Sequence, residues 1–286
     1  DLHTSRNQNN QRKKIMNQPK KNEQAVAKKE SSAVAAPTID LSVVAQDQGQ
    51  GLASVDMESM AIPFLKILSS MSPQTKKQKS EYVDGAEEGM IFNTVTEELH
   101  DGTEGISVIP CYFEPVALEW TDRGTGSSAP VVHPVDTPLW NKTKKDAEGK
   151  ARLPEGTYLE RTHNHYCLLT NSEGLTSQVL ISMKVSGLSK SRKWNSLVMS
   201  AKVKNGEQII NPPSWYYSYT LTTKPQNNDK GDWYSWDIKR GDIVSANQYE
   251  EGKRFHNAVK KGSVEVNYEK TNESSGTDKP DTDNPF

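Results

Sequence analysis

The sequence predicts a mostly β protein, an elaborated OB-like β-barrel with disordered N- and C-terminal tails. Three observations lead there. Runs of β-branched and aromatic residues recur between Gly, Pro and Asn turns across residues 62–262. Only two stretches have clear helical periodicity, and one falls between the third and fourth strong strands, where a helix would close one end of a small barrel. Both ends of the chain differ from the middle in composition. A β-sandwich is the alternative that this element order leaves open.

Residues 62–68 (IPFLKIL) form a short apolar run that reads equally as strand or helix. Residues 89–95 read as a strand after a Gly turn. Residues 105–120 (GISVIPCYFEPVALEW) make the longest β-like run, and Pro110 and Pro115 predict an edge strand or a bend. Residues 121–156 are rich in Gly, Ser, Pro, Lys and Asp. They predict a long loop with a short element near Leu139 and Trp140, and such loops tend to be functional. Residues 156–170 and 177–185 read as strands joined by a turn at 171–174. Ser189 reads as the N-cap of a helix to about Lys202, with Trp194, Leu197, Val198 and Ala201 on one face. Pro212 and Pro213 block its continuation. Residues 215–224 (WYYSYTLTTK) and 232–239 (DWYSWDIK) predict a hairpin around a turn at 226–231. Residues 246–261 have helical spacing with a Gly262 stop, and 264–268 predict a last strand.

Lys plus Arg is 35 and Asp plus Glu is 37, a formal charge of -2, which taken alone argues against a polyanionic partner. The sum conceals segregation along the chain. Residues 1–29 hold eight bases against two acids, 30–61 five acids and no base, and 263–286 six acids against two bases. Both ends lack the large apolar residues needed to fold. The expected organisation is a disordered segment over 1–55, a folded domain over 56–270 and a disordered acidic tail over 271–286. The chain opens on Asp1, and Met16 precedes ordinary polar sequence, which predicts translation from Met16 with 1–15 as leader. No apolar run is long enough for a transmembrane helix, no secretory h-region is evident, and Cys111 and Cys167 make no disulfide framework. A protein of the cytoplasm, that of the host cell if viral, with no membrane partner is expected.

Three stretches interleave aromatics with bases. Residues 184–204 carry Lys184, Lys190, Arg192, Lys193, Lys202 and Lys204 around Trp194, with no acid. The hairpin carries Trp215, Tyr216, Tyr217, Tyr219, Trp233, Tyr234 and Trp236, then Lys239 and Arg240. The loop carries Trp140, Lys142, Lys144, Lys145, Lys150 and Arg152, and Trp120, Arg123, Arg161 and His163 lie beside it in the sequence. Period two places Trp215, Tyr217, Tyr219 and Leu221 on one strand face. These are more aromatics than one small core needs. Bases stack on such rings at about 1–3 kcal/mol each whatever their identity, and Lys and Arg neutralise phosphates. The competing reading makes the aromatics core and cross-strand pairs.

Catalytic signals are absent: no P-loop, no GxSxG and no carboxylate pair at a telling spacing. His163, His165 and Cys167 share a strand face, and Cys111 would complete a zinc-type donor set. Strand spacing of zinc ligands is unusual and no CxxC occurs, so neither a metal nor another cofactor is expected, and the protein is not expected to be an enzyme.

The chain ends Asp281-Thr282-Asp283-Asn284-Pro285-Phe286 after an acidic linker. This resembles the acidic tip of bacterial single-stranded DNA-binding proteins, and phage single-stranded DNA-binding proteins carry similar acidic tails. The resemblance covers six residues and has fewer acids than the usual tip. It implies that Phe286 and its carboxylate, with Pro285 and Asn284, enter a basic-rimmed apolar pocket on a partner, and that Asp281 and Asp283 steer the encounter. Residues and resemblance together predict sequence-independent binding of single-stranded DNA in phage replication, recombination and repair, with the tip recruiting replication and recombination proteins. A single-strand annealing mediator and a non-enzymatic phage structural protein are the alternatives. Homo-oligomerisation is left open.

Overall fold

A computed structural model describes residues 40–47, 50–51, 62–122, 129–229, 231–264 and 266–268. The predicted tails, Met16, Arg123 and the tip residues Asp281 to Phe286 lie outside the described residues. The chain divides into two compact units, Asp1–Ala53 and Ser54–Phe286. In the first, helix α1 (Leu41–Gln46) is capped by Asp40, whose carboxylate accepts from the Ser42 N–H at 2.9 Å. All other elements belong to the second unit.

That unit runs β1 (Leu65–Ile67), β2 (Ile91–Asn93), β3 (Leu99–His100), β4 (Ile106–Trp120), β5 (Val131–Pro134), β6 (Lys144–Lys145), β7 (Ala151–Arg152), β8 (Tyr158–Thr170) and β9 (Thr176–Lys184). Helix α2 (Gly187–Met199), β10 (Val203–Asn205), β11 (Gln208–Ile210), β12 (Tyr217–Asn228), β13 (Gly231–Ile243) and helix α3 (Ala246–Lys260) follow. It is mostly β, as the sequence predicts.

Five long strands lie side by side in the order β13, β12, β4, β8, β9, every pair antiparallel. They curl into a half-barrel, with α2 in the connection between β9 and β12. The concave side buries one core: Ile106 and Val108 of β4, Cys167 and Leu169 of β8, Val179, Ile181 and Met183 of β9, Trp194 of α2, and Tyr219, Leu221, Trp236 and Ile238 of the hairpin. The small sheet β1-β2-β3 extends this wall. On one side the Leu180 N–H donates to the Pro63 carbonyl at 2.8 Å. On the other the Thr223 N–H donates to the Gly102 carbonyl at 2.7 Å and its hydroxyl to the Gly89 carbonyl at 2.6 Å.

The convex side carries a second core, in which Ile109, Cys111, Val116, Leu118, Trp120, Tyr166 and Leu168 meet Phe255 and Val259 of α3 and Tyr268. Ser245 and Gln248 form a reciprocal capping box that starts α3.

The prolines of β4 lie where they do least harm. On the edge away from β8, β4 pairs with β12 over 106–108 and with β5 over 116–119. Pro110 and Pro115 fall between those stretches, where no ladder bond is lost. A register shift between Pro110 and Tyr112 makes Cys111 the extra residue of a β-bulge. The predicted edge or bend is therefore a bulge within a central strand.

Other expectations need correction. Helix α2 begins two residues before Ser189, whose hydroxyl donates to the Ser186 carbonyl instead of capping. The β12–β13 pairing runs to Asn228 and Gly231, so the turn is tighter than predicted. Described residues 264 and 266–268 form no strand; Tyr268 is instead buried, its hydroxyl accepting from the Asn164 amide at 2.6 Å. The hairpin β10–β11 was not anticipated, because its short strands are exposed and carry no alternation.

The junction of the small sheet with β12 has no room for a side chain at Gly102. A Cβ there would stand 2.1 Å from the Gly89 carbonyl oxygen and 2.1 Å from the Thr223 hydroxyl. Gly102→Ala is expected to lower stability by about 1–3 kcal/mol, an overpacking cost. Urea unfolding of variant and wild type measures it, and an unchanged midpoint would mean the junction is loose.

Candidate nucleic-acid interface

The connection between β4 and β8 is organised around Arg152. Its guanidinium donates to Asp122 at 2.8 and 3.0 Å, to Asp146 at 3.0 Å and to the Gly156 carbonyl at 2.8 Å. The bond from Arg152 holds the Asp122 carboxyl below its ordinary pKa. Two acids of the loop are thereby engaged. Lys142, Lys144 and Lys145 are exposed and make no ion pair among the described residues. Trp140 sits on a short 3-10 helix, Pro138–Lys142, half-buried, with its indole N–H donating to the Val135 carbonyl at 2.9 Å. The Arg161 guanidinium of β8 lies over its ring at 5.5 Å.

Arg161 continues a file of side chains along the concave face of β8: Arg161, His163, His165 and Cys167. Opposite His165 on β4 stands Phe113, 36% exposed. Its ring lies 5.2 Å from His163 at 90° and 5.0 Å from His165 at 48°. His165 stacks on Trp194 at 4.4 Å and 18°, and Trp194 meets Tyr219 at 6.0 Å. The Ser191 hydroxyl of α2 is 2.8 Å from His163 Nδ1 and 2.8 Å from His165 Nε2. A hydroxyl has one proton, so it donates to one imidazole and accepts from the other. Burial lowers the His163 pKa to about 4, with the charges of Arg192 and Arg161 adding to the shift. Burial, and then the neighbouring His163, lowers His165 to about 3. Both rings are neutral at ordinary pH.

The remaining predicted residues divide. Trp120, Trp194, Tyr219 and Trp236 are buried in the two cores and offer no ring face to a ligand. The predicted shared face of Trp215 and Tyr217 is corrected too. Trp215 belongs to the 3-10 turn before β12 and packs under α3, 4.8 Å from His256, while Tyr217 lines the concave core. Trp233 is half-buried near the β12–β13 turn. Arg240, 5.3 Å over the Tyr217 ring, donates to the Leu197 carbonyl and the Ser200 hydroxyl, so it clamps the C-terminal end of α2. Lys184 pairs with Glu160 at 3.3 Å, and Lys193 with Asp237 at 3.6 Å, an acid that Lys224 also holds. Arg192 and Lys239 are exposed and Lys190 is half-buried.

The structure thus brings Trp140 to Arg161, and His163 to Phe113, which sequence reasoning missed. The available signal was Pro110, whose bulge decides the facing of Phe113. His163 and His165 converge on Ser191, while Cys111 and Cys167 sit in separate cores with thiol pKa values raised by burial. Among the described residues no three His, Cys, Asp or Glu side chains form a metal-binding group. No helix of the described residues is long and apolar enough to cross a membrane.

A protein-family model described as Pam3 phage gp34-like protein matches residues 10–265. The match spans most of the chain, and the chain belongs to that bacteriophage family. No curated protein and no solved structure matches it.

The buried imidazoles carry a pH signature. Unfolded histidines titrate near 6.5, whereas His163 titrates at about 4 and His165 at about 3 in the fold. Between those values the unfolded chain binds more protons, so stability falls as pH drops from about 6.5 towards 4 and is level above. The lowered carboxylates Glu119, Asp122 and Asp237 respond only below their ordinary values, so they do not affect the upper part of that window. Urea midpoints are expected to fall between pH 7 and pH 5, and His165→Gln is expected to shrink the fall. A wild-type midpoint flat across that range would contradict the assignment.

Proposed function

We propose that this phage protein binds single-stranded DNA without sequence preference. It protects the strand during replication, recombination and repair, performs no catalysis, and recruits replication and recombination proteins through its acidic tip. The observation that carries the reading is the β4–β8 connection. It presents Lys142, Lys144 and Lys145 beside the Arg161–Trp140 pair, with two of its five acids, Asp122 and Asp146, engaged by Arg152. The strand order supports it. Taken as strands one to five, β4, β8, β9, β12 and β13 have the connectivity of an OB-like barrel, with a helix after the third. In such barrels the face of strands two and three and the loops after strands one and four take oligonucleotides. Here that face carries Arg161 and His163, the first loop carries the lysines, and Trp233 follows the second.

Lysines without acidic partners neutralise phosphates directly, so their share of binding energy depends on salt. Tryptophan fluorescence titrated with oligo-dT at two salt concentrations is expected to show quenching that weakens as salt rises. Replacing Lys142, Lys144 and Lys145 together by Ala should weaken binding and flatten the slope of log affinity against log salt by about 2. Arg240→Ala should leave that slope unchanged, because Arg240 is committed to α2. No quenching by oligo-dT at low salt would overturn the reading. Deleting Asn284 to Phe286 should leave DNA affinity near unchanged and abolish pull-down of phage replication proteins; strongly altered DNA binding would instead make the tail a competitor for the groove.

A further inference from the structure

We propose that Phe113 is the ring on which an unpaired base stacks, and that it makes the site select single strands over duplex. The proposal rests on the single-stranded DNA reading above.

Phe113 is the exposed ring of a strand whose other large apolar side chains are buried or half-buried. It stands on the concave face, over the His163 and His165 rings. The charges of Arg161 and Arg192 both act on His163, the imidazole that Phe113 touches. Arg161 in turn covers Trp140. An aromatic face with cations in its neighbourhood suits a base and its phosphates.

The ring is also held in place. Behind it His165 stacks on Trp194, and Trp194 abuts Tyr219 in the barrel core. Ser191 fixes both imidazoles from α2. A platform fixed before binding loses little rotamer freedom when a base lands on it. The imidazoles beneath are neutral, so no charge competes with the base for the ring.

Strand selection follows from the chemistry of stacking. Each base inside a duplex already has neighbours on both faces, whereas a base of a single strand has a π-face to give. Phe113 therefore adds to single-strand binding and nothing to the phosphate contacts that duplex and single strand share.

The alternative role is a structural lid over the two imidazoles. Phe113→Leu keeps an apolar lid and removes the ring; Phe113→Trp enlarges the ring. Full-length wild type and both variants are titrated with oligo-dT and with duplex of equal length, after thermal melts confirm folding. Phe113→Leu should bind oligo-dT about 5- to 150-fold more weakly. Its duplex affinity and salt slope should be unchanged, since stacking releases no counterions. Phe113→Trp should restore affinity and show fluorescence quenching beyond that of wild type. Wild-type affinity of Phe113→Leu for oligo-dT, or an equal loss for duplex, would overturn the stacking role while leaving the DNA reading intact. Failure of the wild type to bind oligo-dT would overturn both.

Discussion

Between Pro110 and Tyr112 the pairing of β4 with β8 slips by one residue, and that slip decides what each face of the sheet displays. Before it, Ile106 and Val108 point into the concave core. Strict alternation would send Tyr112 after them. The extra residue, Cys111, reverses the phase, because side chains alternate with period two. Phe113 goes to the concave face beside His163 and His165, and Tyr112 goes to the convex face against Tyr166 and His256. Without the bulge one long strand could not serve an apolar core at one end and a mixed aromatic and basic surface at the other.

Much of the fold could be read because its strands are long and regular. The β4, β8, β9, β12 and β13 segments each announce themselves by β-branched and aromatic runs between turn residues. What stayed hidden depends on contacts between distant segments. Composition ranks Trp120, Trp194 and Tyr219 with Trp140 as stacking candidates, yet three of the four are buried, since two cores on opposite faces of one sheet consume them. Arg240 reads as a phosphate contact from its neighbours in sequence, but its partners are the Leu197 carbonyl and the Ser200 hydroxyl, at the end of a helix some forty residues earlier. Phe113 escaped notice because a single Phe in an apolar run looks like core until the bulge reverses its facing.

The charge balance makes the same point. A net charge of -2 describes a sum, whereas a polyanion meets local fields. In the β4–β8 connection Arg152 gathers Asp122 and Asp146 into one network, and nearby Glu119 is occupied by Thr157 and His133. Arg152 and Lys150 together balance the two aspartates of that network. On the hairpin Asp237 pairs with Lys224 and with Lys193 of α2.

Helix α2 shows how far tertiary contacts override local preference. It carries Lys190, Arg192 and Lys193 in its first two turns, has no acid in its first turn and makes no side-chain N-cap bond. Bases at a helix N-terminus oppose the macrodipole, and a missing cap leaves backbone donors without a side-chain partner. Such a segment is not expected to be stable as a helix alone. It is held by tertiary contacts instead: Ser191 bonded to two imidazoles of β8, Trp194 buried against His165, and Arg240 closing the last turn from β13. Departures from local rules collect where function demands them. The buried bonds at Ser191 anchor α2 to β8 through the same two histidines that Phe113 touches.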